Sequence, residues 1–238
     1  MRYWLVMPAA GAGHRFGADL PKQYAPLEGR TVIEWALAPF VEDARCARVV
    51  VALAPGDAHF TAVAARLQRP GGAAAVTTVA GGAHRSASVR SALASLSGSA
   101  AAEDWVLVHD AARPCLPRAD LQRLLERLDA HPLGGLLAVP AADTLKRAQG
   151  GAGLAQVAET VERALLWRAL TPQMFRYGRL CAALDAAHAA GRFPSDEAQA
   201  LEWQGEHPAL VEGSAANLKI TSSADLALAA ATLRAQRS

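Results

Sequence analysis

Short apolar runs with almost no polar position recur along this chain, and longer amphipathic runs fill the gaps between them. "YWLVMP" (3–8), "ARVVVALA" (47–54), "AAVTTVA" (74–80), "DWVLV" (104–108), "GGLLAVP" (134–140) and "PALVEG" (208–213) have the length and composition of strands. A strand with one wet face alternates apolar and polar residues. These runs mostly do not, so both of their faces must be covered. The covering layers are predicted from helical spacing at 31–41 (with Thr31 as its cap), 57–68, 84–96, 118–130, 175–191, 195–205 and 222–236. Strand and helix in alternation predict an α/β fold, a mostly parallel sheet with helices on both faces. Right-handed crossovers then bring the loops that follow the strands to one sheet edge, where ligands bind. Gly11–Lys22, Gly81–Ser88 and Asp110–Arg113 are such loops.

The alternation breaks at 142–173. A glycine cluster, Gly150 to Gly153, lies there between two β-like flanks, which reads as a hairpin arm at about 142–165. An isolated two-stranded hairpin is marginal in water. It needs either a partner chain or its own domain to pack on, and the pattern favours neither. No repeat and no linker divides the chain, so one domain over residues 1–238 is expected.

Charge and cysteine usage remove several classes. The 24 basic and 22 acidic residues leave a net charge of +2, too balanced for a nucleic-acid-coating protein, so any anion site is local. Cys46, Cys115 and Cys181 are scattered, with no Cys-x-x-Cys pair, which argues against a disulfide framework or zinc cluster. No apolar run approaches the roughly 20 residues of a membrane span. The N-terminus runs straight into a strand without a leader pattern, so a cytoplasmic protein without membrane partners is expected.

The loop "PAAGAGHRFGADLPKQY" (8–24) has three rival readings. Its spacing, Gly11-x-Gly13-x-x-x-Gly17, is not the G-x-G-x-x-G of a dinucleotide site. Pro21 interrupts the helix such a site would open, and no acidic residue follows at the required distance. Neither Gly13 nor Gly17 precedes a lysine, which removes the ATP-type phosphate loop. What remains is a glycine-containing loop with His14, Arg15 and Lys22. It can cradle phosphate with backbone N–H groups and cations. Taken alone, such a loop is more often a solvated turn. "VHDAARP" around Asp110 and Arg113, "LTPQ" around Thr171 and "NLKIT" around Lys219 are equally unspecific one at a time.

Together, and in this order, "PAAGAGHRF…PKQY", "GGAHRSASV", "VHDAARP", "DTLKR", "LTPQ", "SDEAQALE" and "NLKIT" resemble the 2-C-methyl-D-erythritol 4-phosphate cytidylyltransferase family over essentially the whole chain. The resemblance implies a Rossmann-like nucleotidyltransferase fold, homodimeric through the arm. It implies transfer of CMP from CTP to methylerythritol phosphate with release of pyrophosphate, and a divalent cation, Mg2+, held by the CTP phosphates with Asp110 nearby. A cytidylyltransferase for another polyol phosphate, such as ribitol 5-phosphate, is the neighbouring alternative.

By the same resemblance Arg15, Lys22 and Lys219 would be catalytic. Ala10, Gly11, Ala12, Gly13, Gly82, Arg85, Ser88 and Asp110 would join them around CTP. Asp110, Arg113, Thr171, Ser195 and Lys219 would bind the acceptor, and Thr144 and Arg163 would reach the site of a partner subunit. One departure is visible: Ser195 opens "SDEA" where the family has threonine, which keeps the hydroxyl and loses a methyl. The cyclase domain of the family's bifunctional members is not expected. The chemistry suits these residue types. A phosphate oxygen is already anionic, so no base is needed, while two like charges in contact repel by about 4 kcal/mol at an effective dielectric of 20. Catalysis then reduces to positioning and charge neutralisation.

Overall fold

The computed structural model describes residues 1–11, 20–67, 74–150 and 153–237. Strand β1 (Tyr3–Ala9) is followed by a small hairpin, β2 (Pro26–Leu27) and β3 (Arg30–Thr31), and then by α1 (Val32–Val41), β4 (Cys46–Leu53), α2 (Phe60–Leu67), β5 (Ala75–Ala80) and α3 (Arg85–Ala94). The chain continues through β6 (Trp105–Val108), α4 (Arg118–Leu128), β7 (Gly134–Pro140), β8 (Leu145–Ala148), β9 (Val157–Val161) and β10 (Trp167–Arg176). It closes with α5 (Tyr177–Ala189), α6 (Glu197–Glu202), β11 (Ala209–Glu212) and α7 (Ala224–Arg237).

Seven strands form one sheet in the order β11-β7-β10-β6-β1-β4-β5. All neighbours are parallel except β10, which runs antiparallel to β6 and β7. The apolar runs are strands because helices seal both faces. On one side Leu37 and Phe40 of α1, Val63 of α2 and Leu124 of α4 pack on Leu5, Met7 and Val49. On the other, Leu93 of α3, Leu184 of α5 and Leu201 of α6 pack on Val6, Val50 and Val106. Helix α1 starts where the sequence predicts: Thr31 precedes it, and the Thr31 N–H donates to Glu34 Oε2 at 2.7 Å, half of a capping box.

The chain winds outward from β1 through β4 to β5 and then returns to place β6 on the other side of β1. The crevice beside β1 is therefore a topological switch point, and the loops after β1, β5 and β6 open onto it.

Two features depart from the sequence pattern or refine it. The stretch 142–173, where the alternation breaks, holds both a hairpin, within the 142–165 expected for the arm, and most of a further strand. Strands β8 and β9 form a separate exposed hairpin, with Leu145 opposite Val161. Strand β10 belongs to the main sheet, and Leu170–Phe175 are buried. Pro172 and its polar neighbours Thr171 and Gln173 break the apolar run and mask this strand in the sequence. The register explains how they are tolerated. Ala169 pairs with Ala138 and Gln173 with Leu136, so Thr171 and Pro172 lie in an irregularity that leaves the ladder. Gly134 makes the close approach of β7 to β10 feasible: it has φ +114°, and a Cβ there would lie 2.0 Å from the Met174 carbonyl oxygen.

Candidate active site

A cavity of about 220 Å³ occupies the switch-point crevice. Its lining includes Ala10 and Gly11 after β1, Lys22, Gly82, Arg85 and Ser88 around the β5–α3 turn, Asp110 after β6, and Lys219. Residues from the two ends of the chain, Ala10 and Lys219, thus share one wall. Of the expected CTP residues, Ala12, Gly13 and Arg15 lie outside the described residues.

Backbone packing shapes the nucleotide side of the cavity. A Cβ at Gly81 would lie 2.4 Å from Ala10 Cβ, and one at Gly82 would lie 2.6 Å from Ala87 Cβ, so glycine lets the two loops touch. Buried Ser88 ties its loop together: its Oγ accepts from the Gly82 N–H at 3.1 Å and is 3.2 Å from the His84 carbonyl. Gln23, also buried, donates to the Ala9 carbonyl at 2.9 Å and holds the end of β1. Lys22 Nζ donates to the Ile220 carbonyl at 3.0 Å, which joins the first loop to the segment carrying Lys219.

Asp110 is the electrostatic centre. Arg85 Nε donates to its Oδ1 at 3.0 Å and Lys219 Nζ to its Oδ2 at 2.9 Å. Arg113 Nε stands 3.6 Å from Oδ2, an ion pair too long for a hydrogen bond. Burial alone would raise the Asp110 carboxyl, but Arg85, Lys219 and Arg113 together hold it well below the usual carboxylate range. It is an anion at every ordinary pH.

Beneath it lies a fully buried polar network. His109 Nε2 is 3.1 Å from the Arg113 carbonyl oxygen, which can only accept, so the proton sits on Nε2. Nδ1 then accepts from the Thr171 hydroxyl at 2.9 Å, and the same hydroxyl oxygen accepts from the Asp110 N–H at 3.1 Å. Asn217 Nδ2 donates to the Thr171 carbonyl at 2.7 Å, and Arg113 Nη1 donates to the Asn217 carbonyl at 2.7 Å. Burial lowers the His109 pKa from 6.5 to about 4, so the ring is neutral. The departure of β10 from its ladder is what frees Thr171 to enter this network.

The remaining expected residues lie elsewhere. Ser195 is exposed at the foot of α6 and does not line the cavity, while its neighbour Asp196 caps the helix by accepting from the Gln199 N–H at 2.9 Å. Thr144 and Arg163 are exposed at the base of the arm, away from the cavity of their own chain, and Arg163 donates to the Ala142 carbonyl. His109, Gln23, Asn217 and Glu197 were not singled out by sequence. Each stands inside or beside a quoted motif, but its partner is known only once the chain is folded.

The donor set bears on the expected cation. Among the described residues Asp110 is the only carboxylate lining the cavity, and both its oxygens are engaged by cations. Among the same residues no group of three His, Cys, Asp or Glu side chains could hold a metal. This wall fits a cation carried on a polyphosphate better than one chelated by protein.

Residues 3–235 match the family profile described as "IspD: 2-C-methyl-D-erythritol 4-phosphate cytidylyltransferase". The chain belongs to that family. It is 54% identical over 237 residues to the 2-C-methyl-D-erythritol 4-phosphate cytidylyltransferase of Halorhodospira halophila, covering 99% of this chain and 96% of that one. A Pseudomonas aeruginosa protein of the same name is 51% identical, with 99% and 95% covered. Among solved structures, a 4-diphosphocytidyl-2C-methyl-D-erythritol synthase superposes with a TM-score of 0.82 at 38% identity, covering 98% of each chain. The cytidylyltransferase of Thermus thermophilus gives 0.76 at 34%, covering 98% of this chain and 100% of that one. The family's fold is thus the one seen here: a mostly parallel seven-stranded sheet between helical layers.

Proposed function

We propose that the switch-point cavity is where this cytidylyltransferase joins its two substrates. The enzyme transfers CMP from CTP to 2-C-methyl-D-erythritol 4-phosphate in isoprenoid biosynthesis. A phosphate oxygen of the acceptor attacks the α-phosphorus of CTP. The bond from that phosphorus to the bridging β-oxygen breaks, and pyrophosphate leaves with the electron pair. No proton need be abstracted.

The observation that carries the reading is the convergence of Arg85, Arg113 and Lys219 on one buried carboxylate, with Lys22 in the same wall. A site for two polyanions needs cations held in advance, because reorienting them during reaction would add to the barrier. Lys22, Lys219 and Arg15 take the triphosphate and the developing charge. Gly82, Arg85 and Ser88 face the nucleoside. Asp110 and Arg113 meet the acceptor, and Thr171 holds the Asp110 backbone from below. A divalent cation such as Mg2+ would be held chiefly by the CTP phosphates, with Asp110 nearby, and would supply further charge neutralisation.

The arm makes the enzyme a homodimer. Leu154 and Leu165 on it are about nine-tenths exposed, apolar surface that an isolated hairpin cannot bury. In the dimer, Thr144 and Arg163 complete the acceptor pocket of the partner subunit. The absence, among the described residues, of any helix able to cross a membrane is compatible with a cytoplasmic enzyme.

The decisive assay follows pyrophosphate release from CTP and Mg2+ with methylerythritol phosphate or ribitol 5-phosphate as acceptor. Faster turnover of methylerythritol phosphate is expected, and a preference for ribitol phosphate would reject the acceptor assignment. The shared site is tested separately by mixing Lys22→Ala and Arg163→Ala chains. Activity recovered in heterodimers supports it, and no recovery in verified heterodimers confines the site to one subunit.

A further inference from the structure

Glu197 is the most deeply buried charge near the cavity. It opens α6 with only 1% of its side chain exposed, and it does not line the cavity wall. Among the described residues its carboxylate hydrogen-bonds only to Arg85, which lies 112 positions earlier. The grip is bidentate: Nη1 donates to Oε1 at 2.6 Å and Nη2 donates to Oε2 at 3.1 Å. Helix α6 is itself pinned, because Gln173 Oε1 accepts from the Ala198 N–H at 2.8 Å and Asp196 caps the turn.

We propose that Glu197 is a positioning residue for CTP, holding the Arg85 guanidinium at one angle against the nucleotide and sparing Asp110 for other partners. The inference rests on the reading of Arg85 as part of the nucleotide wall. A guanidinium is a flat fork of donors, and gripping both terminal nitrogens fixes its plane. Nη1 is then committed to Glu197, and Nε donates to Asp110 Oδ1 at 3.0 Å. Nη2 stands between the two carboxylates, 3.1 Å from Glu197 Oε2 and 3.0 Å from Asp110 Oδ1, and Oδ2 stays with Lys219. Without Glu197, Arg85, Lys219 and Arg113 would share a single carboxylate. Nη1 would lose its partner, and the guanidinium, held by Asp110 alone, would be free to rotate away from the pose that faces the cavity. A buried carboxylate is costly to desolvate, and an apolar side chain would fill the same space without that cost. Its presence against a cavity-lining arginine is what a positioning role explains and simple packing does not.

The role predicts which constant changes. Arg85 meets bound CTP before reaction, so loosening it weakens binding more than turnover. In the full-length enzyme, Glu197→Gln is expected to raise both the KM and the calorimetric Kd for CTP by about tenfold, with kcat within about threefold. Glu197→Asp keeps the charge one methylene further back and should recover part of the loss. Because Glu197 acts through Arg85, the double variant Arg85→Gln/Glu197→Gln should bind CTP as Arg85→Gln does, within about twofold. A merely structural residue would lower the active fraction, so kcat would fall while Kd stayed unchanged.

That pattern, an unchanged CTP Kd in Glu197→Gln, or a double variant clearly weaker than Arg85→Gln would each overturn the proposal. If Glu197→Gln alone does not fold, the double variant against Arg85→Gln decides, since its buried pair is replaced by two neutral amides. Wild-type enzyme that binds CTP but does not use methylerythritol phosphate would reject the acceptor reading and leave this test intact. Wild-type enzyme that does not bind CTP would overturn both.

Discussion

The charged cluster around Asp110 and the arm carry the same kinds of side chain in opposite surroundings. In the cluster, Arg85 and Glu197 meet with the carboxylate almost wholly buried. On the arm, Arg147 and Glu159 meet at 2.5 Å with 65% and 56% of their side chains exposed. The distances are alike and the consequences are not. The Glu197 carboxylate is sealed from water and Arg85 meets only the cavity, so each charge depends on its partners, and Asp110 beside them stays ionised far below its normal range. Around the second, water and salt screen the contact, and the pair contributes little. The cluster is positioned by polar groups that cannot move independently. The arm is held by a short ladder and a few exposed polar contacts, and it offers Leu154 and Leu165 outward.

This contrast can be broken most severely at Lys219. Lys219→Ala removes a cation from the buried cluster, and kcat should fall by about a hundredfold or more while the chain stays folded. Single-turnover pyrophosphate release beside a melting curve separates the two effects, and a folded variant of wild-type rate would remove Lys219 from the catalytic set.

The cluster's second weak point is acid. His109 is neutral when folded, with its pKa lowered to about 4, against 6.5 when exposed. Between those values the unfolded chain binds a proton that the folded chain does not, so stability is fully present above pH 6.5 and falls as pH drops toward 4. The loss should reach about 2 kcal/mol at pH 5. Urea titrations at pH 7.5 and pH 5 measure it, and His109→Gln should flatten that part of the profile.

On the arm, effects should be functional and smaller. Arg163→Ala should raise the acceptor KM by about tenfold and leave the CTP KM alone, which steady-state kinetics with each substrate varied will show. The smallest change is expected for Arg147→Ala, below about 0.5 kcal/mol in stability and falling further with salt. A loss of several times that size would mean the arm pair is buried in an assembly.

Much of the fold was legible in the sequence because hydrophobic periodicity is local. The runs at 47–54 and 134–140 became β4 and β7, and Thr31 heads α1 as its spacing implied. Strand β10 was hidden because Thr171, Pro172 and Gln173 interrupt its apolar pattern at the point where it leaves the ladder. That irregularity gives the site its threonine, so the same residues that obscure the strand serve the function. In the site, Lys22, Arg85, Asp110 and Lys219 were named from motif order and do share one wall. Thr171 was also named, as an acceptor contact, yet its hydroxyl bonds both His109 and the Asp110 backbone.

Sequence alone determined the layered α/β class, the loops that end at the crevice and the cations available there. Each of these depends on residues a few positions apart. Tertiary structure alone decided that β10 runs antiparallel through the middle of the sheet, that Glu197 grips Arg85, and that Nδ1 of His109 accepts a hydrogen bond from Thr171. The physical reason is that a buried polar atom must find a partner wherever the packed chain supplies one, and for Glu197 that partner stands 112 residues away.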